Sequence, residues 1–125
     1  ATPAGIIKKE DVTKLPGVVS ISGIPGNIWV TTVANTNSML PVFDYGDLVI
    51  LCDEFKHSEL AVGDIVVYNA APSSIIHRIV DIQESEIGRV YTARGDNTAG
   101  EDPYQILDEH IRWLLIAIIY CRKEG

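Results

Sequence analysis

Turn-forming residues recur along this chain at intervals too short for long helices to develop. Pro16-Gly17, Pro25-Gly26-Asn27, Tyr45-Gly46-Asp47, Gly63-Asp64, Ala71-Pro72-Ser73-Ser74, Gly88, Gly95-Asp96-Asn97 and Gly100-Glu101-Asp102-Pro103 divide it. The runs between them are rich in β-branched and aromatic residues, which fit a pleated, half-buried surface. They predict strands near 18–22, 28–35, 47–52, 64–69, 75–83, 88–93 and 112–121. No window of about a dozen residues carries a 3.6-residue apolar period. The stretch from Tyr104 to His110 has room for one helical turn, with Pro103 suited to a first helical position. The expected fold is mainly β, a barrel-type or sandwich arrangement of short antiparallel strands rather than a parallel sheet with crossover helices. No repeat, low-complexity tract or linker interrupts the 125 residues, so they read as a single domain in which residues 1–12 form a loose N-terminal arm.

Composition works mainly by exclusion. Hydrophobic residues at 46% and charged residues at 22% suit one globular core and argue against disorder. Ten basic against 17 acidic residues give a net charge of -7, which disfavours nucleic acid as a partner, since phosphate neutralisation needs clustered Lys and Arg. The run from Trp113 to Cys121 is nine residues, short of the roughly 20 that span a bilayer. No charged-then-apolar leader precedes the first strands, so the chain as given reads as soluble. Cys52 and Cys121 each end an apolar run, which predicts two unpaired core thiols. No CxxC or Cys/His spacing points to a metal, and no cofactor is expected.

Three segments can carry chemistry. In Thr36-Asn37-Ser38-Met39-Leu40-Pro41, Ser38 follows the end of a predicted strand, where a hydroxyl and nearby backbone N–H groups can face an oxyanion. In Ile75-Ile76-His77-Arg78-Ile79-Val80, strand alternation puts Ile75, His77 and Ile79 on one face. An imidazole there is either a core histidine satisfied by a carbonyl or a general base. His57 and His110 lie among charged residues and read as solvated. The third segment, Arg94 to Asp102, holds Asp96, Glu101 and Asp102 in a Gly- and Asn-containing loop. Such a loop can orient an imidazole or can be a self-capped acidic turn. The EF-hand pattern of a calcium site is missing.

Taken together, these segments resemble a known family. Asn35 to Ile50 looks like the nucleophile box of type I signal peptidases, and Gly63-Asp64-Ile65-Val66-Val67-Tyr68 resembles the next strand of that family. Ile76-His77-Arg78-Ile79-Val80 resembles its base box, and Arg94-Gly95-Asp96-Asn97 through Asp102 its acidic box. All four agree in order and spacing over residues 28–102. Bacterial-type members, and the LexA-like and UmuD-like self-cleaving proteins, use lysine as base, whereas this chain has His77 and no lysine between Lys56 and Lys123. The resemblance is therefore to the archaeal and endoplasmic-reticulum branch, which uses Ser, His and Asp.

That resemblance implies a serine endopeptidase that removes signal peptides from secreted preproteins after small P1 and P3 residues. Ser38 would be the nucleophile, His77 the general base and Asp102 the residue orienting His77, with Asp96 supporting. The Ser38 N–H and the Thr36 hydroxyl would hold the oxyanion. Met39, Leu40, Phe43, Ile75 and Ile79 would wall the pockets of a substrate bound in extended form. Family members carry an N-terminal transmembrane helix, and no such span lies in these residues. The expectation is a domain trimmed from its anchor, working on the extracytoplasmic face of the membrane, or a soluble relative. Trp29 is expected in the core, and Ile111 to Tyr120 as a closing buried strand. Two alternatives remain: a LexA- or UmuD-like domain cutting itself at Ala4-Gly5, and a catalytically idle β-domain that binds extended peptides.

Overall fold

A computed structural model describes residues 5–121 of the chain. The first four residues, and with them Ala4 of the Ala4-Gly5 dipeptide, lie outside the described residues, as do residues 122–125. Eight strands and three short 3-10 turns make up the regular structure; no α-helix occurs among the described residues. β1 (Val12–Leu15) and β2 (Val18–Ile21) form a separate two-stranded hairpin. The remaining strands are β3 (Ile28–Thr31), β4 (Leu48–Cys52), β5 (Ile65–Ala70), β6 (Ser73–Ser85), β7 (Gly88–Arg94) and β8 (Ile111–Ile119). The mainly β class and all seven expected strands are present. β1 is an addition, folding where the loose arm was expected to end.

The six strands β3 to β8 form one sheet in the order β3-β4-β8-β5-β6-β7, and every neighbouring pair is antiparallel. Its outer strands β3 and β7 do not pair, so the sheet is open and not a closed barrel. Ile111 to Ile119 does not close the sheet. It lies inside it, between β4 and β5, which accounts for its long apolar run.

Both faces of the sheet centre are covered. In β5, Val66 and Tyr68 pack with Ile79, Tyr91, Ile106, Ile111 and Leu114 on one side. Ile65 and Val67 pack with Met39, Phe43, Val49 and Leu51 on the other. Four successive buried residues in one strand follow from burial on both faces. The second cluster is roofed by Met39 and Phe43, so the segment carrying Ser38 is anchored in the core by the residues just after it.

Both cysteines are unpaired, as expected. Cys52 is a core thiol, and burial pushes its pKa up. Cys121 is only half-buried, because its strand has ended at Ile119. His57 and His110 are not solvated side chains. His57 Nε2 lies 3.0 Å from the Ile111 carbonyl, and His110 Nδ1 accepts the Leu107 N–H at 2.9 Å, so each satisfies backbone at a 3-10 turn.

Candidate active site

The three segments singled out in the sequence converge at one end of the sheet. The loop between β3 and β4 supplies Ser38, the middle of β6 supplies His77, and the loop after β7 supplies Asp102. His77 Nε2 lies 3.2 Å from Ser38 Oγ, and His77 Nδ1 lies 2.7 Å from Asp102 Oδ2. With its proton on Nδ1 donated to the carboxylate, the imidazole presents a free Nε2 lone pair to the serine hydroxyl. The His77 and Asp102 side chains are 12% and 10% exposed. Charges that form there are weakly screened compared with charges in open water.

Each member has a local reason for its place. Asn37 sits at φ 62, in the left-handed region that asparagine tolerates better than most residues, and this turns the chain so that Ser38 follows it at the bend. His77 pairs with Val66 across the β5–β6 ladder. Asp102 is held by its own N–H, which donates to the Ala93 carbonyl at 2.8 Å.

The acidic loop also grips the serine loop. The Asn97 N–H donates to the Ser38 carbonyl at 2.8 Å, and Asn97 Nδ2 donates to the Asn37 carbonyl at 3.0 Å. Gly95 makes that approach possible. A Cβ at this position would stand 2.7 Å from the Ser38 carbonyl oxygen and 2.9 Å from His77 Nε2. Asp96 faces Arg78, whose Nε and Nη2 donate to its two carboxylate oxygens at 2.8 Å each, while Nη1 donates to the Gly63 carbonyl at 2.8 Å. The Asp96 carboxylate holds the Arg78 pKa above its usual value. Asp96 therefore ties the loop to β6 and makes no contact with His77.

Thr36 Oγ1 donates to Ser38 Oγ at 3.1 Å and accepts the Ser38 N–H at 3.3 Å. Of the two donors expected to face an oxyanion, the Ser38 N–H is taken up by Thr36 Oγ1 and the Thr36 hydroxyl by Ser38 Oγ. A cleft of about 410 Å³ opens next to Ser38 and His77. Of the expected wall residues, Met39, Phe43 and Ile75 line it. Ile79 does not: it is completely buried among Tyr68 and Tyr91 in the other cluster. The rest of the apolar wall comes from Ile76, on the opposite face of β6, with Val49, Leu51 and Val67. Leu40 is half-buried outside the cleft lining.

Two site residues escaped the sequence reading. Trp29 is not a core residue; it is 43% exposed, lines the cleft and tilts against Trp113 with ring centroids 5.5 Å apart. Its strand is an edge strand, which no local pattern reveals. Tyr68 is fully buried and its hydroxyl donates to Asp102 Oδ2 at 2.5 Å. The signal for Tyr68 was present: alternation puts it on the face of Val66, the partner of His77. Among the described residues, no group of three or more His, Cys, Asp and Glu side chains could hold a metal ion. No described helix is long and apolar enough to cross a membrane.

Comparison with known proteins gives a consistent picture. The chain is 32% identical over 78 residues to signal peptidase I W of Bacillus subtilis, covering 62% of this chain and 41% of that protein. It is 33% identical over 72 residues to the signal peptidase complex catalytic subunit SEC11 of Yarrowia lipolytica, covering 56% of this chain and 41% of that protein. The SEC11 subunit of Chaetomium globosum is 34% identical over 100 residues, 78% of this chain and 56% of that subunit. The chain thus spans about half the length of the curated relatives it matches. No family model matches it, and no solved structure does. Relatives from a bacterium and from fungi bear one kind of name, and over 56–78% of its length this chain is similar to signal peptidases.

Proposed function

We propose that this chain is a serine endopeptidase domain of the Ser-His-Asp type that cleaves signal peptides from preproteins after small residues. The observation that carries the reading is the continuous chain of short contacts from Ser38 Oγ through His77 to Asp102. Ser38 Oγ attacks the scissile carbonyl while Nε2 takes its proton, and the imidazolium returns that proton to the leaving amine. Asp102 orients the ring and stabilises its charged form. The developing oxyanion displaces Thr36 Oγ1 from the Ser38 N–H and accepts both donors. Its substrate is an extended segment laid in the cleft between 31–34 and 74–77, with β3 offering the free edge of the sheet to peptide hydrogen bonds. The residues act as one domain, on the extracytoplasmic side of a membrane.

The test is cleavage of a peptide with alanine at P1 and P3. Wild type cuts it, and Ser38→Ala lowers kcat by roughly a millionfold, the scale of losing a serine nucleophile. Loss of the first residues at a rate independent of protein concentration, with no cutting of added peptide, would instead establish self-cleavage. Peptide binding with no cutting under any condition would leave a binding module.

A further inference from the structure

One buried hydroxyl at this site has no part in the proton transfers described above. Tyr68 lies in β5 with no solvent exposure, and its O–H donates to Asp102 Oδ2 at 2.5 Å. That oxygen is the one that also takes the His77 Nδ1 contact at 2.7 Å. Two donors from different strands thus converge on a single carboxylate oxygen. The register aims the phenol there. Along the β5–β8 ladder Val67 pairs with Trp113 but Tyr68 with Ile111, so Arg112 is an extra residue on β8 and the pairing bulges beside Tyr68. The Tyr104 ring meets the Tyr68 ring edge-on with centroids 6.2 Å apart and fixes its plane.

We infer that Tyr68 is a positioning residue for the reaction, fixing the Asp102 carboxylate and sharing the charge that would otherwise fall wholly on His77. A hydrogen bond to a carboxylate draws off negative charge and weakens its hold on a neighbouring cation. Tyr68 therefore makes the imidazolium easier to discharge, which serves the step in which the proton passes to the leaving amine. The phenol can play this part because it stays neutral: burial and the adjacent carboxylate both push its pKa well above the usual phenol range.

The other groups packed around the pair do not duplicate this effect. Arg78 and Asp96 neutralise each other through a bidentate contact. Ser38 and Thr36 contribute hydroxyls, β7 and β8 contribute the uncharged Ala93 and Ile111, and Glu101 and Tyr104 stand exposed. Asp44 borders the cleft.

The inference rests on the Ser-His-Asp reading, and Tyr68→Phe tests it while keeping the ring. The variant is expected to lower kcat roughly three- to tenfold with KM unchanged, as a loosened catalytic carboxylate does. The acidic limb of the rate profile should move to higher pH, because a carboxylate freed of its phenol donor holds a neighbouring cation more strongly. Nuclear magnetic resonance titration of His77 in both proteins should show the same displacement without any substrate. An unchanged limb and an unchanged His77 titration in a folded variant would overturn the inference, even if stability had fallen. A wild-type protein that cleaves no peptide would defeat the proposed function, and the titration would still decide whether Tyr68 governs His77.

Discussion

Gly95 shows how much of the site depends on one missing side chain. Its Cα hydrogens face the Ser38 carbonyl and the His77 ring, and a methyl there would lie within 3 Å of both. A backbone carbonyl cannot move aside as a flexible side chain would, so the acidic loop must retreat. That retreat takes the Asn97 N–H away from Ser38 and drags on Asp102, five residues on from Asn97. Gly95→Ala should therefore reduce kcat/KM by roughly a hundredfold, the scale expected for a misplacement of about 1 Å. Its cost in stability should be about 1–3 kcal/mol, typical of overpacking. Steady-state kinetics set beside urea denaturation checks this. A folded variant with wild-type kcat/KM would show that the loop has slack the contacts do not suggest.

Within the site, the Arg78–Asp96 pair joins β6 to the acidic loop, which in turn holds the serine loop through Asn97. Arg78→Met keeps much of the side-chain bulk but leaves the Asp96 carboxylate and the Gly63 carbonyl without their donors. Losing a charge-assisted bidentate contact that is largely shielded from water should cost about 1.5–3 kcal/mol. Urea midpoints measure this, and kcat should fall as well, because the same loop carries Asp102. An unaltered midpoint would mean that the loop is held by its backbone alone. At this scale the sequence was legible where structure is local. The turn residues and β-branched runs marked the strands, and three boxes in register marked Ser38, His77 and Asp102 as neighbours. What escaped depends on strand order. Trp29 reads as a core aromatic until β3 proves to be an edge. Ile79 reads as a pocket wall until the cleft proves to end at His77, two residues before it on β6. The β1 strand was not legible because Val12-Thr13-Lys14-Leu15 carries a lysine in mid-run, whereas β2, equally exposed, is marked by Val18, Val19 and Ile21.

Across the whole molecule, two buried tyrosines tie the fold to pH. Tyr68 donates to Asp102, and Tyr91 donates to Asp108 at 2.6 Å, with the His57 carbonyl oxygen 3.2 Å from the same hydroxyl. Both are essentially free of solvent. Burial, reinforced by the carboxylate each one faces, raises both phenol pKa values far above the ordinary value. In the unfolded chain these phenols lose their protons near pH 10. Between that pH and their raised folded values, only the unfolded state has shed protons, so stability falls as pH rises. Their contribution is fully present below pH 10. Above it, each tyrosine should remove up to about 1.4 kcal/mol per pH unit. The two phenols meet different carboxylates: Tyr91 anchors the 3-10 turns at His57 and Asp108, while Tyr68 donates to Asp102. Tyr91→Phe should therefore flatten the alkaline decline by about half without moving the acidic limb of the rate profile, whereas Tyr68→Phe should do both. Urea midpoints between pH 8 and pH 11, read with phenolate absorbance on the same samples, separate the two. If both phenols ionised while circular dichroism remained native, the buried contacts would not govern the alkaline limit of the fold.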